Sequence, residues 1–143
     1  MTTPVVVLLW ASLLGAVAGG DQVRGTQEGA RQRAPESFSC DRNNLTSYTG
    51  VVTTYRRQTG STSLTIRTDY DTTEAVSLKH PGTDDPSRFF RMQGEPFAAA
   101  DWTRIETRKG VLRDGTRASA WVCADGRVMV DWGVPSETRG RQR

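Results

Sequence analysis

Apolar and polar residues alternate with a period of two through most of the chain, and no long stretch carries helical spacing. The cleanest alternation is residues 62–68 (TSLTIRT), which sets Leu64 and Ile66 inward and Thr65 and Arg67 outward. Residues 73–80 (TEAVSLKH) repeat it, with Val76 and Leu78 inward beside outward Ser77 and Lys79. Upstream, residues 49–57 (TGVVTTYRR) are β-branched and aromatic, and strict alternation groups Val51, Thr53 and Tyr55 on one face. A loop at 58–61 containing Gly60 and a turn at 69–72 separate the three runs, so they are expected to pair antiparallel as neighbours. The last two apolar runs lie within residues 117–135 (RASAWVCADGRVMVDWGVP) and meet at Asp125-Gly126. That dipeptide suits a two-residue type I′ turn, for which the register sets Cys123 opposite Val128, Trp121 opposite Val130 and Ser119 opposite Trp132. The other face then carries Ala120, Val122 and Met129, with Asp131 its one charge. Two largely apolar faces predict a strand pair buried on both sides.

Between these blocks, residues 81–86 (PGTDDP) are a firm break, and residues 88–92 form one further short strand ended by Gln93-Gly94. Ala98, Trp102 and Ile105 fall at helical spacing, giving one short helix in the connector between strands three and four. Lys109-Gly110 and Asp114-Gly115 read as turns. No internal repeat is apparent.

This order of elements over residues 48–132, with Gly50 opening a long first strand, resembles the OB-fold. The fold class expected is therefore mainly β: a small five- to six-stranded antiparallel barrel, OB-fold-like, with one short helix. The resemblance implies a ligand surface across the second and third strands and the adjoining loops. On this chain that surface includes Tyr55, Arg57, Arg67, Tyr70 and Lys79. It implies no particular activity, because the fold hosts many.

Composition changes the picture at the chain ends. Residues 5–14 are an apolar run followed by Ala16-Val17-Ala18, so residues 1–18 read as a signal peptide cleaved after Ala18, although Lys and Arg are missing before the run. The run is short of the roughly 20 residues that span a bilayer. Residues 19–37 lack apolar periodicity and read as a disordered linker, residues 38–135 as the single β-barrel domain, and residues 136–143 as a disordered basic tail. Export makes Cys40 and Cys123, the two cysteines present, a disulfide pair. The net charge of +3 resides mostly in the tail, where Arg139, Arg141 and Arg143 stand against Glu137. The body from residue 38 to 135 is left near +1, which disfavours a nucleic-acid face.

Several clusters invite chemistry. Asp69, Asp71 and Glu74 bring carboxylates close together as a Ca²⁺ loop does, but without the glycine and distal glutamate of an EF-hand. The lone His80 has Asp84, Asp85, Ser77 and Ser87 nearby but sits in no nucleophile-elbow context, and its place before Pro81-Gly82 suits an exposed turn. A zinc site needs more soft ligands than two cysteines and one histidine. Trp102, Trp121, Trp132, Phe89, Phe90 and Phe97 suit a core better than a platform for sugars or bases. Asn44-Leu45-Thr46 has the form of a glycosylation sequon. No catalytic residue, metal or cofactor is assigned. The expectation is an exported, non-enzymatic binding module, periplasmic or extracellular, contacting a protein, a glycan or another envelope component through one barrel face. The alternatives are a small secreted hydrolase using carboxylates such as Asp69, Asp71 or Asp101, with His80 weaker, and an oligonucleotide-binding OB module.

Overall fold

The computed structural model describes residues 33–83 and 85–135. The expected signal peptide, most of the linker and the basic tail lie outside them. The chain is mainly β. Among the described residues nine strands form: β1 (Leu45–Gln58), β2 (Ser61–Thr68), β3 (Thr73–Lys79), β4 (Phe90–Met92), β5 (Glu95–Pro96), β6 (Glu106–Arg108), β7 (Val111–Leu112), β8 (Arg117–Cys123) and β9 (Val128–Gly133). One short helix, α1 (Trp102–Ile105), follows a 3₁₀ turn at Ala99–Asp101.

The alternation in β2 and β3 is realised as read: Leu64, Ile66, Val76 and Leu78 are buried while Arg67, Ser77 and Lys79 are exposed. β1 pairs antiparallel with β2, and β2 with β3. The face assignment within β1 is corrected by a bulge. The β1–β2 register shifts between Val52 and Thr54, so strict period two fails there. Tyr48, Gly50 and Val52 face the core before the bulge, and Tyr55 and Arg57 face it afterwards, opposite Leu64 and Thr62.

β8 is buried on both faces, as its composition predicts, but the β8–β9 register differs by one residue from the expected one. Ala120 pairs with Val130, Ala118 with Trp132 and Ser119 with Asp131. The turn explains the shift. Only Gly126 takes a positive φ (89°), whereas a type I′ turn needs two such residues. Gly126 N–H donates to Cys123 O (2.9 Å) and Cys123 N–H to Arg127 O (2.9 Å), enclosing three residues rather than two. A one-residue slip exchanges faces. Trp132 therefore packs in the core with Ala118, Ala120 and Val130, while Trp121 shares the opposite face with Ser119 and Cys123.

The expected barrel is not formed. Seven strands make one mixed sheet in the order β3-β2-β1-β8-β9-β4-β5, β6 and β7 make a separate pair, and no sheet closes. Nor is the pairing wholly antiparallel, because β4 runs parallel to β9. The segment 88–92 accounts for both corrections, since its strand occupies the flank of β9 and leaves β3 and β5 as free edges.

The core lies on one side of the curved sheet. Phe90 is its centre, with edge-to-face contacts to Phe97 (5.8 Å), Trp102 (5.9 Å) and Trp132 (5.6 Å). Cys40 and Cys123 form the disulfide, with Cα atoms 6.0 Å apart and a sequence separation of 83. For a loop of that length the chain-entropy account gives about 4–5 kcal/mol. The bond points to an oxidising, non-cytoplasmic environment. No helix among the described residues is long and apolar enough to cross a membrane.

Candidate binding cleft on the outer sheet face

Cys123 lies on the sheet face opposite the core, so the disulfide brings the segment 33–40 across that face. A hydrogen bond from Phe38 N–H to Pro35 O (2.9 Å) folds the segment into a turn. Beneath and beside it is a cleft of about 640 Å³, whose lining includes Arg33, Arg91, Arg117, Ser119, Trp121 and Asp131.

The floor of the cleft is set by strand registers. Thr49 on β1 is opposite Ser119 on β8, Ser119 is opposite Asp131 on β9, and Asp131 is opposite Arg91 on β4. Four neighbouring strands thus place two hydroxyls, a carboxylate and a guanidinium in one row. The Thr49 and Ser119 hydroxyls share a hydrogen bond of 2.9 Å. Asp131, only 8 % exposed, accepts the Gly94 N–H at 2.9 Å through Oδ2 and 3.2 Å through Oδ1. Burial raises its carboxyl above the usual aspartate value, opposed by that N–H and by the Arg91 charge. Arg91 donates from Nη2 to Gly94 O and from Nη1 to Ser37 Oγ at a long 3.4 Å, while its buried Nε has no hydrogen-bond partner. Arg117 donates from Nη2 to both oxygens of Asp69, at 2.8 and 2.6 Å. Trp121, 2 % exposed, lies one row further along β8.

Of the residues implicated by the OB resemblance, only Tyr55 and Arg57 are brought together, and on the core side. Tyr55 and Arg57 turn inward, where Tyr55 O–H donates to Glu106 Oε1 (2.7 Å) and Arg57 donates from Nε (3.1 Å) and Nη2 (2.7 Å) to the two Glu106 oxygens. The Arg57 guanidinium also lies 3.9 Å over the Trp102 ring. Burial and the Glu106 contact push the Tyr55 hydroxyl far above its ordinary value. This network fastens the β6–β7 pair to β1. Arg67 and Lys79 are exposed at opposite ends of the β2–β3 hairpin, six residue steps or roughly 20 Å apart. Tyr70 is 67 % exposed in the turn between those strands.

The remaining chemical candidates have structural placements. His80 is fully buried rather than an exposed turn residue. Its Nδ1–H donates to Thr83 O (2.9 Å), which leaves Nε2 to accept from the Thr62 hydroxyl (3.1 Å). Asp85 accepts from Ser87 N–H (3.0 Å) and Oγ–H (2.7 Å), not from His80, and Asp84 is outside the described residues. Asp101 accepts from Ala98 N–H (2.8 Å) and Arg104 (2.9 Å), which lowers its carboxyl value. Asp69 is held by Arg117, and Asp71 is exposed at positive φ (63°) in the turn. Among the described residues no group of three or more His, Cys, Asp or Glu side chains is placed to hold a metal ion. Of the six aromatic residues expected in the core, Trp132, Phe90 and Phe97 are buried in it, Trp102 and Phe89 pack against it partly buried, and Trp121 is buried on the opposite face.

Sequence reading missed Thr49, Arg91, Arg117 and the role of Asp131. One signal was present: Asp131 is the only charge in an apolar strand of otherwise buried character, flanked by Val130 and Trp132. No protein-family model, curated protein or solved structure matches this chain.

Proposed function

We propose that this protein is an exported binding module, periplasmic or extracellular, whose ligand or partner enters the cleft under the disulfide-tethered segment. The row Thr49–Ser119–Asp131–Arg91 carries the reading: it puts a partly buried carboxylate and an incompletely bonded guanidinium at the base of an open cleft. Buried polar groups cost stability unless bonded, and concave sites with a few convergent polar groups are where ligands bind. On this reading recognition lies on the sheet's outer face rather than on the β2–β3 surface that the OB resemblance implies. A hydrolytic role is less well supported, since Asp69 and Asp101 are held in ion pairs and His80 is fully bonded in the interior.

Partner capture from a native envelope extract tests the reading. The oxidised protein and its Arg91→Met variant are compared with a double Arg67→Ala, Lys79→Ala variant. Loss of the captured partner with Arg91→Met alone supports the cleft. Loss with the double variant, and retention with Arg91→Met, moves the site to the β2–β3 surface.

A further inference from the structure

Taking the cleft as the binding site, we propose that its ligand is an acidic saccharide, with the sugar carboxylate held by Arg91 and Arg117 and sugar hydroxyls bonded to Asp131, Ser119 and Thr49. Charge gives the first step. Three guanidiniums, those of Arg33, Arg91 and Arg117, line the cleft against one lining carboxylate, Asp131. Asp69 offsets Arg117 from outside the lining, and the surplus remains positive. An anion is favoured and an ammonium group is repelled.

Arg91 gives the second step. Its Nη1 makes a long, exposed 3.4 Å bond to Ser37 Oγ, and a ligand carboxylate can take over that donor with a shorter, charge-assisted bond. A doubly charged phosphate would call on more free donors, whereas Arg117 already spends Nη2 on Asp69. The third step is the neighbouring acceptor. Asp131 takes backbone N–H contacts from Gly94, at both oxygens, and from Gln93, and a carboxylate can accept about four hydrogen bonds, so acceptor positions remain. Since the surroundings repel a cationic donor, neutral hydroxyls are the donors that fit. The Thr49–Ser119 pair adds two hydroxyls that can each accept and donate. A carboxylate beside several hydroxyls is the chemistry of a uronic acid. The volume of about 640 Å³ suits one or two sugar units. Base stacking does not fit, because the aromatic side chains lining the cleft, Trp121 and Trp132, are buried.

The test is calorimetric titration of the oxidised full chain with galacturonic acid trimer, using maltotriose as the neutral control. Saturable binding of the acidic trimer is expected, weakened about tenfold or more by Arg91→Met and by Asp131→Asn, and unchanged by Lys79→Ala. Near-UV circular dichroism verifies folding. If Arg91→Met fails to fold, Arg91→Lys, which keeps the charge and loses the guanidinium fork, is expected to weaken binding as well. Absence of saturable binding, or equal binding of maltotriose, overturns the ligand class. Should Arg91→Met still abolish partner capture in that case, the cleft stands without the saccharide. Trimer binding that ignores both the Arg91 and Asp131 variants removes this site from the proposal altogether.

Discussion

Alanine in place of Gly50 tests the geometry of the sheet most directly. Gly50 stands between Thr68 of β2 and Ala118 of β8. A methyl group built there would lie 2.0 Å from Arg67 O and 2.7 Å from both Arg67 C and Thr68 Cα. The first contact is about 1 Å inside the 3.0 Å that real side chains respect, and every offending atom is main chain. No rotamer change relieves it, so β2 must move as a unit against a core that holds Leu64 and Ile66 on the same strand. Overpacking of this kind costs about 1–3 kcal/mol, and a rigid ladder belongs at the upper end. The reduced freedom of the unfolded chain returns about 0.4–1 kcal/mol, leaving a net loss of about 2 kcal/mol. With a urea slope of about 1 kcal/mol/M, the midpoint falls by roughly 2 M. Gly133→Ala is the control, because its new carbon meets Arg117 Cβ at an ordinary 3.5 Å and stability should change by less than about 0.5 kcal/mol. Equal midpoints for Gly50→Ala and the parent protein would refute the close approach of β2 to β1.

Glu106→Gln leaves Arg57 charged and nearly buried, and should cost about 3–5 kcal/mol by urea unfolding, whereas a double Arg57→Met, Glu106→Leu variant should recover most of the loss. The carboxyl of Asp131 has the opposite pH signature to that of Asp101. Because its folded value is raised above the ordinary 3.8, its contribution is full below that value and is lost as pH rises through the folded value; Asp131→Asn should remove this falling component from a stability profile taken between about pH 3 and pH 7. Asp101 is lowered, chiefly by the Ala98 N–H, so its contribution is present above 3.8 and lost as pH falls, and Asp101→Asn should flatten the acid limb instead. Reduction of Cys40–Cys123, or a double serine variant, should cost about 4–5 kcal/mol in the same assay; a midpoint indifferent to reductant would contradict the staple.

Alternation made β2 and β3 legible because nothing interrupts their period, and the same signal placed Val76 and Leu78 correctly. It misled in β1, where one extra residue between Val52 and Thr54 reverses the faces and sends Tyr55 and Arg57 inward. Bulges leave no local signature in a run of β-branched residues such as Val51-Val52-Thr53-Thr54. In the β8–β9 hairpin, Asp125-Gly126 is compatible with either a two- or a three-residue loop, and the choice between them decides which tryptophan enters the core. The disulfide and the short helix followed from compartment and spacing. The parallel β4–β9 ladder did not, because three residues, Phe90 to Met92, carry too little pattern to announce a partner or a direction. The cleft was invisible for the same reason: its row depends on three registers, two of which rest on those features.

The corrected hairpin register also explains why this small body needs its covalent tie where it has one. A strand such as β8, buried on both faces, must be covered on both sides. On one side α1, the β6–β7 pair and the Phe90 cluster contribute to the packing. On the other, Trp121 is almost wholly buried, yet the described segment nearest that face, residues 33–40, contributes Phe38 as its one large apolar side chain. So little apolar area cannot offset the ordering entropy of eight residues, at roughly 1–2 kcal/mol each, through contact alone. Joining Cys40 to Cys123 fixes the segment at its end and limits the unfolded chain as well. A cover anchored covalently at one end, with the long Ser37–Arg91 bond further along it, can shield Trp121 and still leave the polar row beside it open to a ligand.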